Sequence, residues 1–96
     1  MIPKQNQEEF YSRFLKQLKF SQEWPGKFMF KFILRPNSKN IDQLKFFFKN
    51  KSPIYKLKNS TKNKFQSITI TVEMNSAIEV IEIYKKASDI DGVISL

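Results

Sequence analysis

Neither cysteine nor histidine occurs in the 96 residues. The first absence removes disulfides, thiolate nucleophiles and thiolate metal sites, and the second removes the commonest general base and metal ligand. The chain has only two glycines, and neither belongs to a phosphate-cradling loop. No apolar run approaches the ~20 residues needed to span a bilayer, and the amino-terminal MIPKQNQEEF lacks the apolar core of a secretion signal. Carboxylates are sparse. Glu79 and Glu82 fall on a helix surface where solvation is their usual fate, and Asp89 and Asp91 end a helix without the further ligands of a calcium loop. The chain is therefore expected to be a cytoplasmic, non-enzymatic protein with no metal, cofactor or membrane insertion.

Arginine is also scarce. The basic residues are 15 Lys to 2 Arg, for a formal net charge of +8. The charge is unevenly placed: residues 1–72 hold 15 Lys/Arg against 4 Asp/Glu, or +11, whereas residues 73–96 hold 2 against 5, or −3. A basic surface of this size attracts RNA, DNA or other anionic partners by neutralising phosphate or carboxylate. However, Lys, Asn, Ile and Phe all have A/T-rich codons, so coding bias is an alternative source of the lysines. The near absence of Arg also withholds the side chain best suited to bidentate phosphate recognition.

One small domain is expected, with an amino-terminal tail and helix over residues 1–23 and the domain proper over 24–96. Phe10, Tyr11, Phe14, Leu15 and Leu18 recur at helical spacing from Gln7 to Phe20, with Glu8 and Glu9 placed in the first turn. Trp24-Pro25-Gly26 stops this helix. Trp24 is read as a lid between helix and strand, with a binding anchor as the alternative. In KFMFKFILR, residues 27–35, the two-residue period sets Phe28, Phe30, Phe32 and Leu34 on one face and Met29, Lys31, Ile33 and Arg35 on the other. An RNA-stacking sheet needs aromatics and cations on the same surface. Here they are separated, so the phenylalanines are expected in the core.

Ser38 is a plausible cap for a second helix, whose stripe Ile41, Leu44, Phe47 and Phe48 ends near Asn50, with Phe46 beside it. SPIYKLKN and KFQSITITVE then alternate as two strands joined by a polar loop, which makes a hairpin. Ser76 and Glu79 have capping-box spacing. They open a third helix with the stripe Ala77, Val80, Ile81, Tyr84 and Ala87, widened by Ile78 and Ile83. VISL closes the chain as a short strand. The order, a helix followed by β-α-β-β-α-β, is that of the ferredoxin-like plan, an α+β fold in which a four-stranded antiparallel sheet carries two helices on one face.

In that plan the uncovered face shows Met29, Lys31, Ile33, Arg35, Phe65, Ser67, Thr69 and Thr71. In the middle strand Tyr55 and Leu57 point inward, leaving Ile54, Lys56 and Lys58 outward. RNA-recognition strands carry a glycine and a second aromatic that NKFQSITITV lacks. The loop KNSTKNK has three lysines and no acid, and no acid occurs between Asp42 and Glu73. Such a loop either guards a sheet edge against aggregation or grips a phosphate backbone.

WPGKFMFKFI, KNSTKNKFQSITITVEMNS and VIEIYKKASDIDGVISL, in that order, resemble the YbeD-like family of small bacterial proteins of unknown function, over roughly residues 24–96. The resemblance implies a ferredoxin-like fold akin to ACT domains, which often sense small molecules at subunit interfaces, and a cytosolic regulatory or interaction role. It brings no catalytic residues. The combined expectation is an interaction module, with a protein partner, a homodimer or a small ligand at Met29, Ile33, Ile54 and Phe65. The alternative is weak, sequence-tolerant RNA binding through Lys31, Arg35, Lys56, Lys58, Lys62 and Lys64.

Overall fold

A computed structural model describes residues 4–36 and 39–95, with the backbone alone for 4–6 and 61. Three helices pack on one side of a four-stranded, fully antiparallel sheet with strand order β2-β3-β1-β4. The expected cap Ser38 lies outside the described residues.

Helix α1 spans Lys4–Ser21 and starts earlier than the apolar period suggests, so Glu8 and Glu9 fall in its second turn and no acid occupies its first. Tyr11, Phe14, Leu15 and Leu18 all join the core. The Phe14 ring lies 5.3 Å from that of Tyr84, and the Lys85 ammonium sits over Tyr11. The helix thus packs on its own domain. Trp24 is a lid: its indole N–H donates to Leu18 O at 3.0 Å, a carbonyl near the helix end that Ser21 Oγ–H also reaches at 2.9 Å, and its ring lies 6.3 Å from Phe28. Gly26 opens strand β1, Gly26–Leu34, where a Cβ would stand 2.7 Å from Glu23 O. Only glycine lets the chain turn this tightly from lid to strand.

The period-two reading of β1 holds. Phe30, Phe32 and Leu34 are buried and Phe28 is half-buried, while Lys27, Met29 and Lys31 are exposed. Phe30 touches Phe28, Phe32, Phe48 and Tyr84, with ring centroids 4.9–6.2 Å apart. Burying each such side chain contributes about 1.5–3 kcal/mol.

Helix α2 covers only Asn40–Phe46 and ends before Asn50. Beyond Phe46 the backbone tightens, with Phe47 N and Phe48 N donating to Leu44 O and Lys45 O, and this turn carries Phe48 into the core at 0% exposure. Phe46 points outward, beneath the Lys49 ammonium. Strand β2, Ile54–Asn59, lies at the sheet edge rather than in its middle, hydrogen-bonded to β3, Gln66–Met74. Tyr55 and Leu57 do face the helix side, opposite Ile70 and Ile68. Yet Leu57 is 46% exposed, because the helical layer does not cover the edge.

Helix α3, Ala77–Ser88, buries Ala77, Val80, Ile81, Ile83, Tyr84 and Ala87, but Ile78 is exposed. Its cap is half of the expected box. Ser76 Oγ accepts from Glu79 N at 3.2 Å, while the Glu79 carboxylate reaches back to Asn75 N and Nδ2 instead of Ser76 N. Glu79 is not merely solvated, since Lys51 Nζ pairs with it at 2.6 Å. Burial pushes its pKa up, but the Lys51 and Asn75 hydrogen bonds and the Lys51 charge outweigh that and hold it below the usual carboxylate value. Gly92 takes φ +84 after the helix, and β4, Ile94–Ser95, pairs with β1.

Candidate functional site: the open face of the sheet

Because all three helices cover one side, the other side of the sheet is bare, and strand register decides which of its residues meet. Cross-strand partners share a face. Ile54, Thr71 and Met29 form one row across β2, β3 and β1. Lys56, Thr69 and Lys31 form the next, and Lys58, Ser67, Ile33 and Ile94 the one after. Adjacent strands are about 4.8 Å apart, so Lys31 and Lys56 stand about 10 Å apart with Thr69 between them. The face therefore has an apolar pair at one end, a lysine row in the middle and an apolar group at the other end.

That last group, with Phe65 just before β3, borders a shallow hollow of about 140 Å³ lined by Ile33, Lys58, Asn59, Ser60, Phe65, Gln66 and Ser67. The hairpin builds it. Ser60 N donates to Phe65 O at 2.8 Å and Ser60 Oγ accepts from Phe65 N at 2.9 Å, while Lys62 and Asn63 take positive φ. Phe65 is 50% exposed at the rim.

Met29, Ile54 and Thr71 thus meet at one end and Ile33 and Phe65 at the other, so the four apolar candidates make two groups instead of one patch. Lys31, Lys56 and Lys58 belong to the rows. Arg35 follows the end of β1, and Lys62 and Lys64 sit in the hairpin loop. Ile94, 57% exposed opposite Ile33, escaped the sequence reading. Alternation in VISL separates Ile94 from Val93, but nothing local gives its register on β1.

Glu73, beside Lys27 on the face's outer row, is the one carboxylate among these cross-strand rows. Among the described residues the one ion pair is Lys51–Glu79 on the helix side, so Lys31, Lys56 and Lys58 of the open face have no carboxylate partner among the described residues. Among the described residues no group of three or more His, Cys, Asp or Glu could hold a metal ion, and no helix is long and apolar enough to cross a membrane. What the face can do is cover apolar surface at two ends and neutralise negative charge between them.

With this geometry established, the family is plain. Residues 20–96 match a family described as "Protein of unknown function (DUF493)", and the chain belongs to it. YbeD is a member of that family, so the YbeD-like resemblance is correct, and the match begins just before the Trp24 lid. No curated protein matches the chain, and no solved structure does.

Proposed function

We propose that this protein is a non-catalytic regulatory or interaction module whose open sheet face binds an acidic protein surface. Its ferredoxin-like, ACT-like plan is our reading of the antiparallel order β2-β3-β1-β4 with α2 and α3 as the two crossovers. The observation that carries the functional reading is the row Lys56–Thr69–Lys31, without an ion-pair partner among the described residues and set between apolar groups. Apolar ends supply contact area and the unpaired charges select the sign of the partner.

Two other occupants have less support. A small ligand would need a pocket of about 300–1,000 Å³, whereas the hollow beside Phe65 holds about 140 Å³ and is open. A second copy laid face to face and centred on the middle row would set Lys31 and Lys56 against the same two lysines, which is repulsive.

The test is affinity purification from native cells, divided into nuclease-treated and untreated halves and repeated with Lys31→Glu/Lys56→Glu. We expect a discrete acidic protein that survives nuclease and is lost with the double variant. Recovery of nucleic acid alone, or a protein that the double variant still retains, overturns the reading.

A further inference from the structure

β2 is an edge strand over its whole length, Ile54–Asn59, paired on one side to β3. Which of its backbone groups are free follows from the hairpin. Ser60 N donates to Phe65 O, so residues 60 and 65 form a hydrogen-bonded pair. Such pairs alternate along an antiparallel ladder. Hence Ile54, Lys56 and Lys58 bond inward to Thr71, Thr69 and Ser67, and the N–H and C=O groups of Tyr55, Leu57 and Asn59 point away from the sheet.

The side chains along this edge are also uncovered. Ile54 is 68% exposed on the open face, Leu57 is 46% exposed on the helix side, and Lys56 and Lys58 are exposed on the same face as Ile54. Lysine alone on an edge strand guards against chance pairing. Here the two lysines follow Ile54 on one face and flank Leu57 on the other, exposed apolar groups that a guarded edge has no use for and an added strand would cover.

A second copy of β2 is a poor occupant. Two-fold antiparallel pairing with matched faces must centre on one residue. Centred on Lys56 it opposes the two copies of Lys56; centred on Leu57 it opposes Lys56 and Lys58 twice; any other centre pairs three or fewer residues of Ile54–Asn59. Like charges directly opposite are destabilising. The same lysines favour carboxylates, and no acidic residue of the chain lies between Asp42 and Glu73 to compete for them.

We propose that β2 is a docking edge for an extended acidic protein segment, which adds as a fifth strand and sets carboxylates two residues apart against Lys56 and Lys58. This rests on the open-face interface and narrows it to one edge and one partner chemistry.

The experiment uses the full ¹⁵N-labelled chain titrated at low salt with two synthetic peptides that alternate threonine with glutamate or threonine with lysine. The glutamate peptide is expected to shift the amides of Tyr55, Leu57 and Asn59 and slow their solvent exchange, while the lysine peptide leaves them unchanged. Leu57→Pro removes an outward N–H and no rung of the β3 ladder, so it should keep the native spectrum and abolish binding. Lys56→Glu/Lys58→Glu, which leaves the backbone edge intact, should weaken binding about tenfold.

Shifts confined to Met29, Lys31 and Thr71 would overturn the edge assignment while leaving the open-face interface standing. Equal response to both peptides, tighter binding of oligouridine at β2, or dimerisation through β2 would overturn the acidic-segment proposal. Failure of the interface itself is read separately, from the Lys31→Glu/Lys56→Glu purification.

Discussion

Adjacent residues of KFMFKFILR should respond in opposite ways to the same substitution. Phe30 is fully buried against Phe28, Phe32, Phe48 and Tyr84, whereas Met29 is 61% exposed one residue earlier. Truncating a buried phenylalanine to alanine costs about 3–5 kcal/mol, from lost burial and the cavity left behind. A domain of this size has roughly 5–14 kcal/mol in all. Phe30→Ala should therefore remove about a fifth or more of the stability and lower Tm by roughly 12–40 °C. Met29→Ala should stay within about 0.5 kcal/mol of the parent. Urea titration followed by Trp24 fluorescence and far-ultraviolet circular dichroism measures both, since Trp24 is the one tryptophan and caps the core. Comparable losses for the two variants would mean that the open face is covered and that the interface reading starts from the wrong surface.

Two further perturbations test how the fold is held. Glu79→Gln should lose about 1 kcal/mol at pH 7, a modest figure because the Lys51–Glu79 pair is partly solvated, with side chains 22% and 25% exposed. Since the folded pKa of Glu79 is depressed, its contribution is present above the ordinary value of 4.5 and lost as pH falls through the folded value. The parent and variant urea midpoints should thus draw together as pH falls below the ordinary carboxylate value, and a gap of constant size from pH 7 into acid would refute the assignment. Gly26→Ala drives a Cβ to 2.7 Å from Glu23 O, a backbone atom that cannot swing aside. It should cost about 1–3 kcal/mol, and an unchanged Tm would show that the Trp24 turn relaxes freely.

Alternating apolar positions settled β1 and β3 almost residue by residue, because a period of two tolerates no slip without turning every side chain over. The α3 stripe was legible for the same reason, except for Ile78, which lies where the helix has no neighbour. Alpha-2 misled because Phe46, Phe47 and Phe48 satisfy a helical pattern until Phe48 must enter the core, and the chain tightens to deliver it. The half-made capping box is a comparable case. The spacing of Ser76 and Glu79 was sufficient for one hydrogen bond, but the adjacent Asn75, the alternative cap in the sequence, and Lys51, distant along the chain, drew the carboxylate elsewhere.

By itself the sequence determined that catalysis by cysteine or histidine is excluded, that the Phe28–Leu34 stripe is core, and that lysines lie opposite it. Each follows from residue identity or from a period along one strand. Only the tertiary structure decided that β2 is an edge, that Lys31 and Lys56 stand in one row about Thr69, and that Ile94 joins Ile33. Those facts depend on strand order and register. Contacts distant along the chain set both, because backbone hydrogen bonds join strands without regard to the residues they carry.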